Sequence, residues 1–237
     1  MNALIAKQTD KELGEIFFKR NLRSKRMSIK ILSGRLEVNL PQGFTENEGM
    51  RFVNSVREKL LKRQKSAAEK SILLTENNPL QTLTCVVYVK KVQRKDLFSS
   101  LKSGVLTIEY PEELDENDIH TQQYFWNSVN YFLRSEAKRI LPYRTQQLAE
   151  KYHFSFSEVK IQSSKTRWGS CNLKRTINLS FYLLLLPQHL VDYVILHELC
   201  HTKEMNHSPR FWGWMDKVTD GKAKRLRAEL KGYAIPH

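Results

Sequence analysis

Hydrophobic and polar positions follow readable periods along most of the chain. Met27, Ile29 and Ile31 alternate with Ser28 and Lys30, and Leu36, Val38 and Leu40 alternate after Ser33-Gly34. A period of two on either side of a turn pair predicts a half-buried β-hairpin, ended by Pro41. Gly14-Glu15-Ile16-Phe17-Phe18-Lys19 reads as a strand ahead of it. The period changes after Thr45-Glu46-Asn47-Glu48, a capping-box pattern, where Met50, Phe52, Val53, Val56, Leu60 and Leu61 recur at helical spacing. Lys59, Lys62, Arg63 and Lys65 place positive charge toward the end of that helix, where its dipole favours it. Ile72–Leu74, Leu83–Val89 and Val105–Tyr110 are further strand candidates, with turns at Asn77-Asn78-Pro79 and Ser103-Gly104. This part of the chain reads as a mostly β module with one helix.

Glu112, Glu113, Asp115, Glu116 and Asp118 form an acidic knot at which the composition shifts. Beyond it Phe125, Trp126, Val129, Phe132, Leu133, Ala137 and Ile140 keep helical spacing. Pro142 predicts a break, with a second helical piece to about Lys151. The boundary is expected near residue 112, giving an N-terminal β-rich module, 1–112, and a second domain, 113–237. No long Gly/Ser linker separates them, so they are expected to pack together, and no internal repeat is evident. Val159–Ile161, preceded by Phe154 and Phe156, and Thr176–Ser180 read as strands. Phe211, Trp212, Trp214, Met215 and Val218 predict an aromatic-rich core helix ended at Asp220-Gly221. The tail with Lys222, Lys224, Arg225, Arg227 and Lys231 reads as basic surface.

The candidate chemistry lies between the strand at Thr176–Ser180 and the aromatic-rich helix. Val191, Val194, Ile195 and Leu196 predict a buried helix that runs into His197-Glu198-Leu199-Cys200-His201. Residues four apart share a helix face, so His197 and His201 can aim two imidazoles at one ion. Glu198 between them is placed to act on a water held by that ion. His207 follows, in an elbow expected to turn at a left-handed Asn206 before Ser208-Pro209 opens a new helix. Three imidazoles with an open fourth position suit Zn2+. A structural zinc would need a fourth ligand, for which Glu204 and Asp216 are the candidates. The strand at Thr176–Ser180, if it lies beside the metal helix, is a place for an extended peptide to add at a sheet edge.

Composition adds limits. The 237 residues are 41% hydrophobic, enough for a real core, and carry a formal charge of +14. That excess favours polyanionic partners, nucleotides and nucleic acid among them. Lys19, Arg20, Arg23, Lys25, Arg26, Lys30 and Arg35 occur with no acid among them, either an anion-binding surface or a solvated strand face. Cys85, Cys171 and Cys200 are odd in number and lack metal-type spacing, which favours a reducing compartment over a disulfide framework. Met1–Ile5 is too briefly apolar for a signal peptide, and Leu179–Pro187 is too short to span a bilayer. The expectation is a cytoplasmic protein without a membrane partner, and no oligomeric state is specified.

Arg167-Trp168-Gly169-Ser170-Cys171, the strand around Asn178, and His197-Glu198-Leu199-Cys200-His201 with Asn206-His207-Ser208 and Phe211-Trp212 together resemble the YgjP-like zinc metallohydrolases. These are relatives of the WLM and SprT-like proteases. Arg23-Ser24-Lys25-Arg26, Gly34 and Pro41 also match the N-terminal part of such proteins. The resemblance implies an α+β chain with a zincin-like catalytic core: a long backing helix, a small twisted sheet and an active-site helix. It implies zinc on His197, His201 and His207 with Glu198 as catalytic base, and assigns no chemistry to Arg167 or Ser170. The spacing of His207 equals that of metzincins, but Glu204 stands where those proteins have glycine, and no Met-turn follows. The expected function is a zinc-dependent hydrolase acting on protein or peptide, a metallopeptidase. The alternatives are a zinc hydrolase of nucleoside triphosphates and a protease acting on DNA-bound proteins through the basic surface.

Overall fold

The computed structural model describes residues 3–32, 35–69 and 72–235. The turn expected at Ser33-Gly34 lies outside the described residues. The chain divides into two compact units between Ile72 and Leu73. No described helix is long and apolar enough to cross a membrane, and all three cysteines are free.

The first unit is a four-stranded sheet with two helices. Strands β1 (Ala3–Asp10), β2 (Gly14–Arg20), β3 (Ser28–Leu32) and β4 (Arg35–Leu40) lie in the order β1-β2-β4-β3. The predicted β3–β4 hairpin is present, and β2 runs parallel to β4. β1 was not anticipated; it pairs antiparallel with β2. Thr45 and Glu48 make the reciprocal capping box that starts α1 (Glu46–Ser55). The single helix expected here is interrupted at Val56 and resumes as α2 (Arg57–Glu69). Ile16, Phe18, Leu36, Val38 and Leu40 from the strands and Val53 and Leu60 from the helices form a separate core with Leu13. The alternation in the sequence supplies this inward face.

The second unit begins with strands β5 (Leu80–Gln81), β6 (Val86–Val92), β7 (Phe98–Lys102) and β8 (Val105–Pro111). Their order is β5-β6-β8-β7, with β6 parallel to β8 and the outer pairs antiparallel. This is the topology of the first unit's sheet, also followed by helix, so the fold repeats where the sequence shows no evident repeat. Ser103 and Gly104 close the β7–β8 hairpin with φ of 48° and 77°, the left-handed pair of a tight hairpin turn. Ile72–Leu74, expected as a strand, is irregular.

Helix α3 (Ile119–Tyr152) follows, capped by the Asp118 side chain at its start and by left-handed His153 at its end. It runs unbroken for 34 residues through Pro142, against the expected break. A proline inside a helix costs about 3 kcal/mol. The buried residues on both sides of it, Leu133, Ala137, Leu141, Leu148 and Ala149, outweigh that cost by anchoring each half in the same core. Leu106, Ile108 and Tyr110 of β8 join Phe125, Val129 and Leu133 of α3 in that core, with Tyr110 and Phe125 edge to face at 5.2 Å. The strands just before residue 112 therefore share one core with the helix after it. The boundary expected there, however, falls inside the second unit, because β6 and β8 bury their inner face with α3.

Three short strands then form a second sheet: β9 (Glu158–Gln162), β10 (Gly169–Cys171) and β11 (Thr176–Ser180), in the order β10-β11-β9. A 3-10 turn over Phe181–Leu185 leads to α4 (Gln188–His201), α5 (Pro209–Val218) and α6 (Ala223–Leu230). Leu83 N–H donates to the Leu184 carbonyl at 2.7 Å, tying the first sheet of this unit to the approach to α4.

Candidate metal centre

Helix α4 is apolar on nearly every side. Leu190, Val191, Tyr193, Val194, Ile195, Leu196, Leu199 and Cys200 are all buried. A helix of this composition belongs inside a domain, and its position is fixed further by one ion pair. Arg144 of α3 holds Asp192 with two hydrogen bonds, Nε to Oδ1 at 2.7 Å and Nη2 to Oδ2 at 2.6 Å. Gln188 donates to Oδ1 of the same carboxylate at 2.8 Å. The last turn of α4 is thus carried on a braced, dry element.

His197 and His201 emerge from that turn. α4 ends at His201 with Thr202 as a right-handed cap. The expected left-handed turn at Asn206 is not used; Thr202, Lys203 and Glu204 instead donate to carbonyls in the last turn of the helix. The chain re-enters helix at Ser208, whose hydroxyl caps the Phe211 N–H, with Pro209 in the first turn, as the sequence predicts. This elbow returns His207 to the helix it left. The ligating atoms of His197, His201 and His207 lie within 4.8 Å of one another, and the Nε2 atoms of His197 and His207 are 3.1 Å apart. Two nitrogens on a tetrahedral zinc at about 2.0–2.1 Å would be roughly 3.3 Å apart. Among the described residues this group contains neither Glu204 nor Asp216.

The surroundings favour the neutral form of His197 and His201 and orient all three rings. His201 Nδ1 donates to the Glu204 carbonyl at 3.1 Å, which leaves Nε2 as the free lone pair. Burial, then the neighbouring histidines, push His197 down to about 3. Burial also lowers His201. A neutral imidazole is the form that binds a cation. Phe211, fully buried, stacks on His201 at 4.5 Å and meets His197 and His207 edge-on at 4.9 and 4.8 Å. Trp212 stacks on His207 at 6.1 Å, and Arg227 of α6 lies over Trp212 at 5.1 Å.

Glu198 completes the group. It is 5% exposed, and its Oε2 is buried without a hydrogen-bond partner. Burial pushes its carboxyl up to about 8, with the charge of Arg167 pulling the other way. Gly169 of β10 touches it closely, since a Cβ there would stand 2.7 Å from Oε1. A polar atom buried beside three convergent imidazoles fits a site that holds a cation and its water. Cys171 on the same strand is pushed up to about 11, first by burial and then by the charge of Glu198.

The three histidines singled out in the sequence are therefore brought together, and Glu198 follows His197 on the same helix, against Gly169. β11, the strand on which peptide addition was expected, is central and paired on both sides, so it cannot accept another strand. The sheet edge that packs on α4 is β10. Sequence reasoning also missed Phe211 as the ring among the histidines and Arg227 as part of the surround. Both lie beyond His197–His201, on helices whose hydrophobic pattern signals only core or surface.

A buried helix and the elbow after it, which bring three imidazoles together next to a buried carboxylate, define a candidate metal-dependent hydrolase. The family described as YgjP-like, metallopeptidase domain, matches residues 25–233. The chain belongs to that family. Two solved metallopeptidase zymogens resemble part of it. Abylysin of Pyrococcus abyssi is 26% identical over 37% of this chain and 88% of its own, with a TM-score of 0.34. Jannalysin of Methanocaldococcus jannaschii is 21% identical over 38% and 91%, also at 0.34. At that score the likeness carries no argument about the site. No curated protein matches the chain.

Proposed function

We propose that the chain is a zinc-dependent peptidase with a zincin-like core, in which α3 backs α4 and the β9–β11 sheet flanks it. His197, His201 and His207 hold the ion and Glu198 is the general base. The observation that carries this reading is the convergence of the three imidazoles within 4.8 Å beside a buried, partnerless carboxylate oxygen. A zinc ion bound there would lower the pKa of its water to roughly 7 and polarise the scissile carbonyl.

The chain's own residues do the rest. Glu198 takes a proton from the attacking water at Oε2 and returns it to the amine nitrogen as the peptide bond breaks. A cation on the adjacent imidazoles favours the ionised carboxylate and offsets its burial. The His201–Glu204 hydrogen bond holds one ligand in the required tautomer. The free edge of β10 lets an extended peptide add as a further strand beside Glu198. In zinc-loaded protein, Glu198→Gln should keep the metal and lose at least about 100-fold in turnover of an unfolded protein such as casein. Hydrolysis that persists in this variant, or transfers to nucleoside triphosphates, contradicts the assignment.

A further inference from the structure

We infer that the substrate carries a carboxylate close to its scissile bond, recognised by Arg167 and Arg227. This inference rests on the peptidase reading above and names the substrate class of that site.

The two guanidinium groups come from separate elements. Arg167 ends the connection from β9 to β10, two residues before the glycine that touches Glu198. The chain is pinned there, because Ser180 N–H donates to the Trp168 carbonyl at 2.8 Å. A peptide paired along β10 would meet Arg167 at the start of the strand. Arg227 comes from α6, whose sequence reads only as a basic tail. It lies 5.1 Å over Trp212, the ring stacked on His207. Both arginines are exposed, and among the described residues neither makes an ion pair. Arg144, Arg139 and Arg94 are paired with carboxylates, whereas Arg167 and Arg227 are among several described arginines that are not, and their place beside the site sets these two apart. Arg167 lies two residues before the glycine that touches Glu198, and Arg227 lies over the ring stacked on His207, so both border the candidate site.

Two unpaired cations beside a metal centre weaken the site for any cationic substrate. They gain less from a neutral peptide, whose carbonyls accept single hydrogen bonds without a charge. A carboxylate satisfies a guanidinium with paired, charge-assisted hydrogen bonds. The carboxylate is either a Glu or Asp side chain flanking the bond or the free C-terminus of a short peptide.

The test is fluorescence anisotropy with zinc-loaded, full-length Glu198→Gln protein, which reads binding without turnover. The probes are one peptide with Glu on both sides of the central bond, its Gln counterpart, and each with a free or amidated C-terminus. The carboxylate-bearing peptides should bind about tenfold tighter at low salt, and the preference should shrink as salt rises. Arg167→Gln and Arg227→Gln should each move the ratio toward one, whereas Arg227→Lys, which keeps the charge but not the paired donors, should retain part of it. The amidated pair shows which carboxylate is read. Equal binding of all four peptides, no peptide binding, or a ratio unchanged in both Gln variants overturns the inference. Displacement of the acidic peptide by ATP that the wild type then hydrolyses also overturns it. Wild-type cleavage of peptides without an acidic preference would sink this inference and leave the peptidase reading standing. Absence of all peptide cleavage would sink the peptidase reading itself.

Discussion

A Cβ on Gly169 would stand 2.7 Å from Oε1 and 2.8 Å from Cγ of Glu198. The strand and the helix therefore meet at the one side chain assigned to proton transfer, and the strand yields room for it by having no side chain there. Gly169→Ala should push Glu198 away from its position while leaving the three histidines in place. The expected result is unchanged zinc content and a loss of roughly 100-fold in kcat/KM. Steady-state kinetics with parallel metal analysis checks it.

Trp212 is placed to hold His207, the one exposed ligand, by stacking on it. Its loss frees a ring that the elbow alone does not orient. Trp212→Ala should weaken zinc binding by about 10-fold or more, as removal of a ligand's support does. Competition against a chromophoric chelator measures it, and Trp214→Ala, on the same helix but away from His207, is the control.

The Arg144–Asp192 pair acts on the fold rather than the chemistry. Both groups are partly exposed, so solvent screening limits the pair to about 1 kcal/mol. Arg144→Met should lower the melting temperature by roughly 2–4 °C. Thermal denaturation should show that shift with zinc affinity little changed.

In the first unit, the Arg57 guanidinium beside Asp10, together with the Leu13 and Glu12 amides, holds the Asp10 carboxyl well below its usual value of 3.8. A depressed carboxylate binds its proton more weakly folded than unfolded, so its stabilisation is complete above that value and fades as pH falls below it. Acid unfolding of the first unit should therefore steepen below about pH 4. Asp10→Asn should remove that part of the pH dependence and lower stability at neutral pH. Denaturant titrations at several pH values, followed by amide signals of residues 3–69, check both.

Much of this site was legible because its residues follow strict local rules. His197 and His201 share a helix face by spacing alone, and the apolar residues before them demand burial. Ser208-Pro209 announces the next helix and so the elbow that returns His207. What the sequence hid depends on partners distant in the chain. Pro142 reads as a break by local cost, yet two buried stretches of α3 override it. Val159 and Ile177 pair in parallel sheet only because β9 and β11 are brought together.

The repeat of the two larger sheets was readable in principle. Ser33-Gly34 and Ser103-Gly104, Pro41 and Pro111, and Thr45-Glu46-Asn47-Glu48 and Asp115-Glu116-Asn117-Asp118 are each 70 residues apart. These are turn and cap signals, which mark where elements change rather than what fills them, and the residues between have diverged. The boundary expected near residue 112 followed from that gap. The acidic run there opens the helix of the second copy, whereas the change of unit comes one copy earlier.

Metal analysis of the freshly purified full-length protein, beside its His201→Ala and Glu198→Gln variants, tests the central claim most directly. The account predicts close to one equivalent of zinc in the wild type and in Glu198→Gln, and little in His201→Ala. A wild type that holds no zinc and cannot be reconstituted, or a zinc content indifferent to the loss of His201, would contradict it.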